Sequence, residues 1–232
     1  MAKFTEQNFE ANVIAVGQFN PPIFAPYWLL SKGLIGQADF DEALANEEFL
    51  IAVDGMRCVT STFSLQVLRA QFSLQSRGPL SPAFADLFRG IFTLLPETPI
   101  HAIGMNFAAD YSFGNISDFH AVGDTLAPKA YWSSLLADEK HSLGLLSMTM
   151  QINPHPRDTD VSATGGVTRN SQISMGVSSK VKAGIRFHLN NHVDIKDRLA
   201  DTAVELVANE WDQLRNDASR HFHAVLNSVV GE

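Results

Sequence analysis

Between Val181 and Leu189 the odd positions Val181, Ala183, Ile185, Phe187 and Leu189 are apolar, while the even positions Lys182, Gly184, Arg186 and His188 are not. Alternation with period two predicts a strand with one dry face and one wet face. From Leu199 to Val229 the apolar residues Ala203, Val207, Trp211, Leu214, Ala218, Phe222 and Val225 recur every three or four positions, one stripe of a long helix. Unbroken, that helix spans about 45 Å. A break near Asn216 and Asp217 would shorten it.

The same patterning organises the rest of the chain. Asn12 to Phe19 predicts a first strand, ended by Asn20, Pro21 and Pro22. Ile23 to Leu30 predicts a turn entering a short helix that stops at Gly33, and Asp39 to Glu48 a second, acidic surface helix. Phe49 to Val53 and Met56 to Thr60 flank Asp54-Gly55, a hairpin pattern. Phe63, Leu65 and Val67 alternate in one parity and Leu68, Ala70, Phe72 and Leu74 in the other, which predicts a β-bulge near Val67 and Leu68. Ser81-Pro82 starts a helix whose face is Phe84, Leu87, Phe88, Ile91, Phe92 and Leu95. Ile103 to Phe113 alternates as a long strand, Ser117 caps a helix through Leu126, and Leu146 to Ile152 and Val167 to Val177 predict two more strands. Asn190-Asn191 reads as a reversal, and Asp194 or Asp197 as the cap of the last helix.

Together these elements predict an α+β fold, a largely antiparallel sheet packed against helices with a long C-terminal helix. The chain has 232 residues and 45% apolar content, enough for one domain over residues 1–232, with an alternative subdivision near residue 117. Net charge is −8, which disfavours nucleic acid and anionic membranes as partners of the whole surface. Cys58 is the single cysteine, so no intramolecular disulfide forms. No stretch resembles a signal peptide or a run of about 20 apolar residues, so a cytoplasmic location without a membrane span is expected.

Motifs for chemistry are sparse. The chain has neither a phosphate-binding glycine loop nor a nucleophile elbow, and no catalytic residue, cofactor or metal is assigned. His221 and His223 lie two apart on a helix and point about 200° apart, so they do not grip one ion. His155, Asp158 and Asp160 share a polar loop from Pro154 to Gly166, read as a surface connection. Asp110 has the polar parity of its strand, which predicts exposure. Lys180, Lys182, Arg186 and His188 make a basic strand face, read first as a solvated face that discourages edge pairing.

The run Phe63-Ser64-Leu65-Gln66-Val67-Leu68-Arg69-Ala70-Gln71-Phe72 resembles the signature strand of a sporadically distributed bacterial family of uncharacterised proteins. Members commonly carry Arg-Asp-Arg-Phe where this chain has Arg69-Ala70-Gln71-Phe72. Gly17 to Pro21, and Ile100 to Asn106 after an amphipathic helix, resemble the family's order of elements over the first half of the chain. The resemblance implies a mobile-element or defence association and no established activity.

The functional expectation is therefore a non-enzymatic binding or assembly protein acting through protein–protein contacts, including self-association. Its candidate partner-binding residues are Pro21, Pro22, Phe24, Tyr27, Trp28, Arg215 and Arg220. The alternative is a protein or hydrolase with an apolar ligand pocket between sheet and final helix, lined by Met105, Phe107, Met148, Met150 and Phe187.

Overall fold

The computed structural model describes residues 3–135, 143–152 and 167–231. Among the described residues nine strands form one sheet: β1 (Phe4–Gly17), β2 (Leu50–Ile51), β3 (Gly55–Val59), β4 (Phe63–Leu68), β5 (Gln71–Ser76), β6 (Ile100–Phe113), β7 (Ser147–Ile152), β8 (Val167–Val177) and β9 (Gly184–Ile195). Their order is β2-β3-β4-β5-β1-β6-β9-β8-β7, and every pairing is antiparallel. The helices are α1 (Pro26–Ser31), α2 (Gln37–Ala45), α3 (Ala83–Leu94), α4 (Ile116–Leu126) and α5 (Ala200–Val230). The fold is α+β, as the patterning predicts.

Odd-numbered residues of β6, β9 and, after a register shift between Glu6 and Asn8, of β1 face the helices, so Val13, Ile103, Met105, Phe107, Ile185, Phe187 and Leu189 are buried. The helix α5 is continuous over 31 residues, without a break at Asn216-Asp217. Its stripe lies on β6 and β9: Trp211 packs on Phe107 with ring centroids 4.8 Å apart, and Phe222 stacks on Phe187 at 5.1 Å. Burial of Ala203, Val207, Trp211, Ala218, Phe222 and Leu226 on one side outweighs the poor helix propensity of Asn216 and Asp217. Beside it, α3 places Phe88 and Phe92 against Phe72 of β5.

Several local expectations are corrected. The parity switch after Val67 is a hairpin, not a bulge: Val67 pairs with Phe72, and Arg69-Ala70 form the connection between β4 and β5. A reversal puts residues five apart on the same face, which a continuous strand cannot do. Asn190-Asn191 is mid-strand. Asn191 stands among core residues because its side chain donates to Met105 O at 3.0 Å and accepts from Ser171 Oγ at 3.0 Å, so its polar group is satisfied within the ladder. β1 begins at Phe4 rather than near Asn12, its polar first half held by pairing with β6. Asn115, not Ser117, caps α4 by accepting from the Asp118 N–H at 2.8 Å. Leu199 occupies the cap position of α5; Asp197 instead accepts from the Leu199 N–H and the Thr202 hydroxyl, and Asp194 belongs to β9.

Backbone freedom matters at two glycines. A Cβ on Gly17 would meet Pro99 O at 2.1 Å, so no side chain fits where β1 leaves the sheet. Gly33, at φ +68°, ends α1 in the left-handed region.

Candidate functional site

The sheet has two unlike faces. Among the described residues, aromatic contacts place α1, α3, α4 and α5 on the face that carries Phe72, Phe107 and Phe113. The opposite face carries the even positions of β6, β9 and, from Asn8 onward, β1. Across it runs a row of polar side chains set by strand register: Ser64 opposite Gln75, Gln75 opposite Asn12, Asn12 opposite Asn106, Asn106 opposite Asn190, Asn190 opposite Gln172, and Gln172 opposite Gln151. With strands about 4.8 Å apart, the row is about 29 Å long. Asn106 donates to Asn12 Oδ1 at 2.7 Å, which holds its centre.

Next to this row lies a closed cluster of charge. Asp110 is fully buried despite its polar parity, a correction to the expected exposure. Arg186, its cross-strand partner, donates to Asp110 Oδ2 and, at 2.8 Å, to Glu10 Oε2; Lys180 donates to Glu10 Oε1. The Ser178 hydroxyl donates to Asp110 Oδ1 and accepts from the backbone N–H groups of Lys180 and Val181 at 3.0 Å. These bonds hold a turn over residues 178–183 in which Ala183 takes φ 49°, the left-handed region. Two carboxylates meet two cations, and each is engaged within the chain.

Burial pushes the Glu10 carboxyl up, but hydrogen bonds and charge from Lys180 and Arg186 outweigh it and hold it below its ordinary 4.5. A carboxyl depressed in the folded state adds stability that is fully present above about pH 4.5 and is lost as pH falls through the lowered folded value. In denaturant titrations at successively lower pH, Glu10→Gln is therefore expected to show a shallower acid loss than the parent chain. Equal slopes would show that Glu10 is not the group lost. Burial first, and then the Arg186 charge, lower His188, which favours its neutral form. Burial likewise pushes the Cys58 thiol up to about 12, which suits a core residue and not a nucleophile.

The residues expected to form a basic strand face are thus divided. Lys180 and Lys182 precede β9 and lie in the 178–183 turn, whereas Arg186 and His188 stand on the strand. Lys180 pairs with Glu10, and Arg186 with both Glu10 and Asp110. The aromatic segment is divided too: Pro21 and Phe24 are buried, Phe24 within ring contact of Phe19, Phe72 and Phe92, while Pro22 and Tyr27 are exposed and Trp28 is half-buried. Pro21 and Phe24 are core, and only the remainder can meet a partner. Arg215 is half-buried, and Arg220 is exposed and paired with Asp217. His223 packs edge-on against Tyr111.

The five expected pocket residues do not share a cavity. Met105, Phe107 and Phe187 are buried beneath α5, filled against by Trp211 and Phe222, whereas Met148 and Met150 lie on β7, three strand spacings or about 14 Å from β6. Among the described residues no three His, Cys, Asp or Glu side chains are placed to hold a metal; His155, Asp158 and Asp160 lie outside the described residues. No described helix is long and apolar enough to cross a membrane.

The amide row and the Glu10–Arg186–Asp110–Ser178 cluster are the features missed from sequence. Each member has the polar parity of its strand or turn, but parity does not say which strands are neighbours. A comparison with protein-family models, curated proteins and solved structures finds no match to this chain.

Proposed function

We propose that this protein acts by protein–protein contact, assembling with itself, rather than by catalysing a reaction. The observation that supports this reading is the polarity of the sheet. One face is filled by helices, and the other carries a neutral row of amide and hydroxyl groups, exposed at Gln75 and Gln151, half-buried at Ser64, Asn12, Asn190 and Gln172 and buried at Asn106, whose neighbouring charges are engaged internally. Depletion of free charge with retention of hydrogen-bonding groups is what the centre of a protein contact requires, because unpaired charge is costly to desolvate there. Nucleic-acid binding would need cations free to replace counterions, and Lys180 and Arg186 are committed elsewhere.

Light scattering over a concentration series tests the reading. The expected mass exceeds that of the 25.4 kDa chain and rises with concentration. The single-chain mass at every concentration overturns it.

A further inference from the structure

The two margins of the sheet differ. β2 is two residues long, preceded by Glu47-Glu48 and followed by Asp54, which is how proteins ordinarily protect an edge from pairing. β7, at the other margin among the described residues, reads Ser-Met-Thr-Met-Gln-Ile, with neither charge nor proline. Leu146 just before it is 79% exposed, Met150 57% and Ile152 41%, although all three have the parity of the core-facing side.

The backbone of this edge can be read residue by residue. Val177 N–H donates to Leu146 O, so Leu146, Met148, Met150 and Ile152 direct their main-chain groups at β8. Ser147, Thr149 and Gln151 therefore direct theirs outward. These three are symmetric about Thr149.

We infer that β7 pairs antiparallel with β7 of a second copy of this chain, about a two-fold axis at Thr149, joining two sheets into one. The occupant follows from self-complementarity. With Thr149 opposite itself, Ser147 faces Gln151 on the polar side, while on the core side Leu146 faces Ile152 and Met148 faces Met150. Every apolar side chain of one edge thus meets an apolar side chain of the other, and every outward backbone group meets its complement. Leu146 also borders a groove of about 250 Å³ with Ala127, Lys129, Trp132, Leu143, Gly144 and Leu145, which would receive Ile152 of the second copy; the Lys129 ammonium is paired with Asp124 at 2.9 Å. Chains of net charge −8 repel on average, and the β7 segment itself adds no charge to that repulsion. The two-fold closes, so the product is a dimer and not a fibre.

This inference rests on the assembly reading above, and sedimentation velocity on two variants separates them. Thr149→Pro removes an outward donor and leaves the β8-facing donors intact, a substitution edge strands tolerate. Met150→Lys leaves the backbone alone and sets an ammonium against apolar side chains. The expected result is a dimer for the parent chain, a monomer for Thr149→Pro, and dimerisation weakened at least about tenfold for Met150→Lys, with circular dichroism unchanged. If the parent dimerises and a correctly folded variant of either kind dimerises equally well, the edge pairing is overturned while assembly stands. If the parent is monomeric throughout, both are overturned, and open-ended polymers overturn the two-fold.

Discussion

Replacing Phe72 by alanine is expected to lower the unfolding free energy by about 3–5 kcal/mol, the cost of deleting a large buried aromatic. Phe72 is fully buried at the meeting point of β5, α3 and the segment after β1, its ring centroid 5.0 Å from Phe92, 5.6 Å from Phe24, 5.7 Å from Phe88 and 6.3 Å from Phe19. Those neighbours belong to elements that also pack elsewhere, so they cannot all move inward to fill the space. The loss therefore contains a cavity contribution as well as the lost transfer energy. Denaturant titration reads it as a lower midpoint with unchanged slope. The exposed Tyr131 replaced by alanine is the control, expected to change stability by less than about 0.5 kcal/mol. A loss below about 1 kcal/mol for Phe72→Ala would show that the aromatic cluster is not the packed centre described.

Asp110→Ala is expected to cost about 3 kcal/mol, the lower end for breaking a buried ion pair by removing one partner. The lower end applies because Arg186 keeps Glu10 and its side chain is 29% exposed, so water screens part of the orphaned charge. Two consequences follow from the geometry. The Ser178 hydroxyl loses its acceptor, and the 178–183 turn, with Ala183 in the left-handed region, loses the bond that anchors it to β6. Hydrogen exchange at Lys180 and Val181 should accelerate more than global stability alone requires, since their N–H groups are held by Ser178. The double variant Asp110→Leu, Arg186→Met removes both charges, and recovery of most of the loss is expected. If the double variant is no better than Asp110→Ala, the cost lies in packing and not in the stranded guanidinium.

The strands and helices were largely legible because side-chain periodicity is local. Ile103 to Phe113 alternates whichever strands lie beside it, and the stripe from Ala203 to Val225 needs only one helical axis. The errors occur where a local signal has two readings. A change of parity after Val67 suits a bulge or a hairpin, and the pairing of Val67 with Phe72 decided for the hairpin. Two asparagines at 190–191 suit a turn, yet Asn191 finds acceptor and donor inside the ladder and the strand runs on. Asp110 shows the converse: its polar parity held, but exposure did not follow, because Arg186 and Ser178 close over it.

By itself, the order of apolar and polar residues determined which side of each long strand faces the helices, which face of α5 is buried and that the fold is α+β, since these depend only on the periods of strand and helix. Tertiary structure alone decided which strands are neighbours. That choice joins Asn12 to Asn106 across 94 residues, aligns the amide row from Ser64 to Gln151, gathers Glu10, Asp110, Ser178 and Arg186, and leaves β7 at the margin. The physical reason is that register is a non-local quantity: it is set by the summed fit of two segments far apart in the chain, and no short stretch of either one contains it.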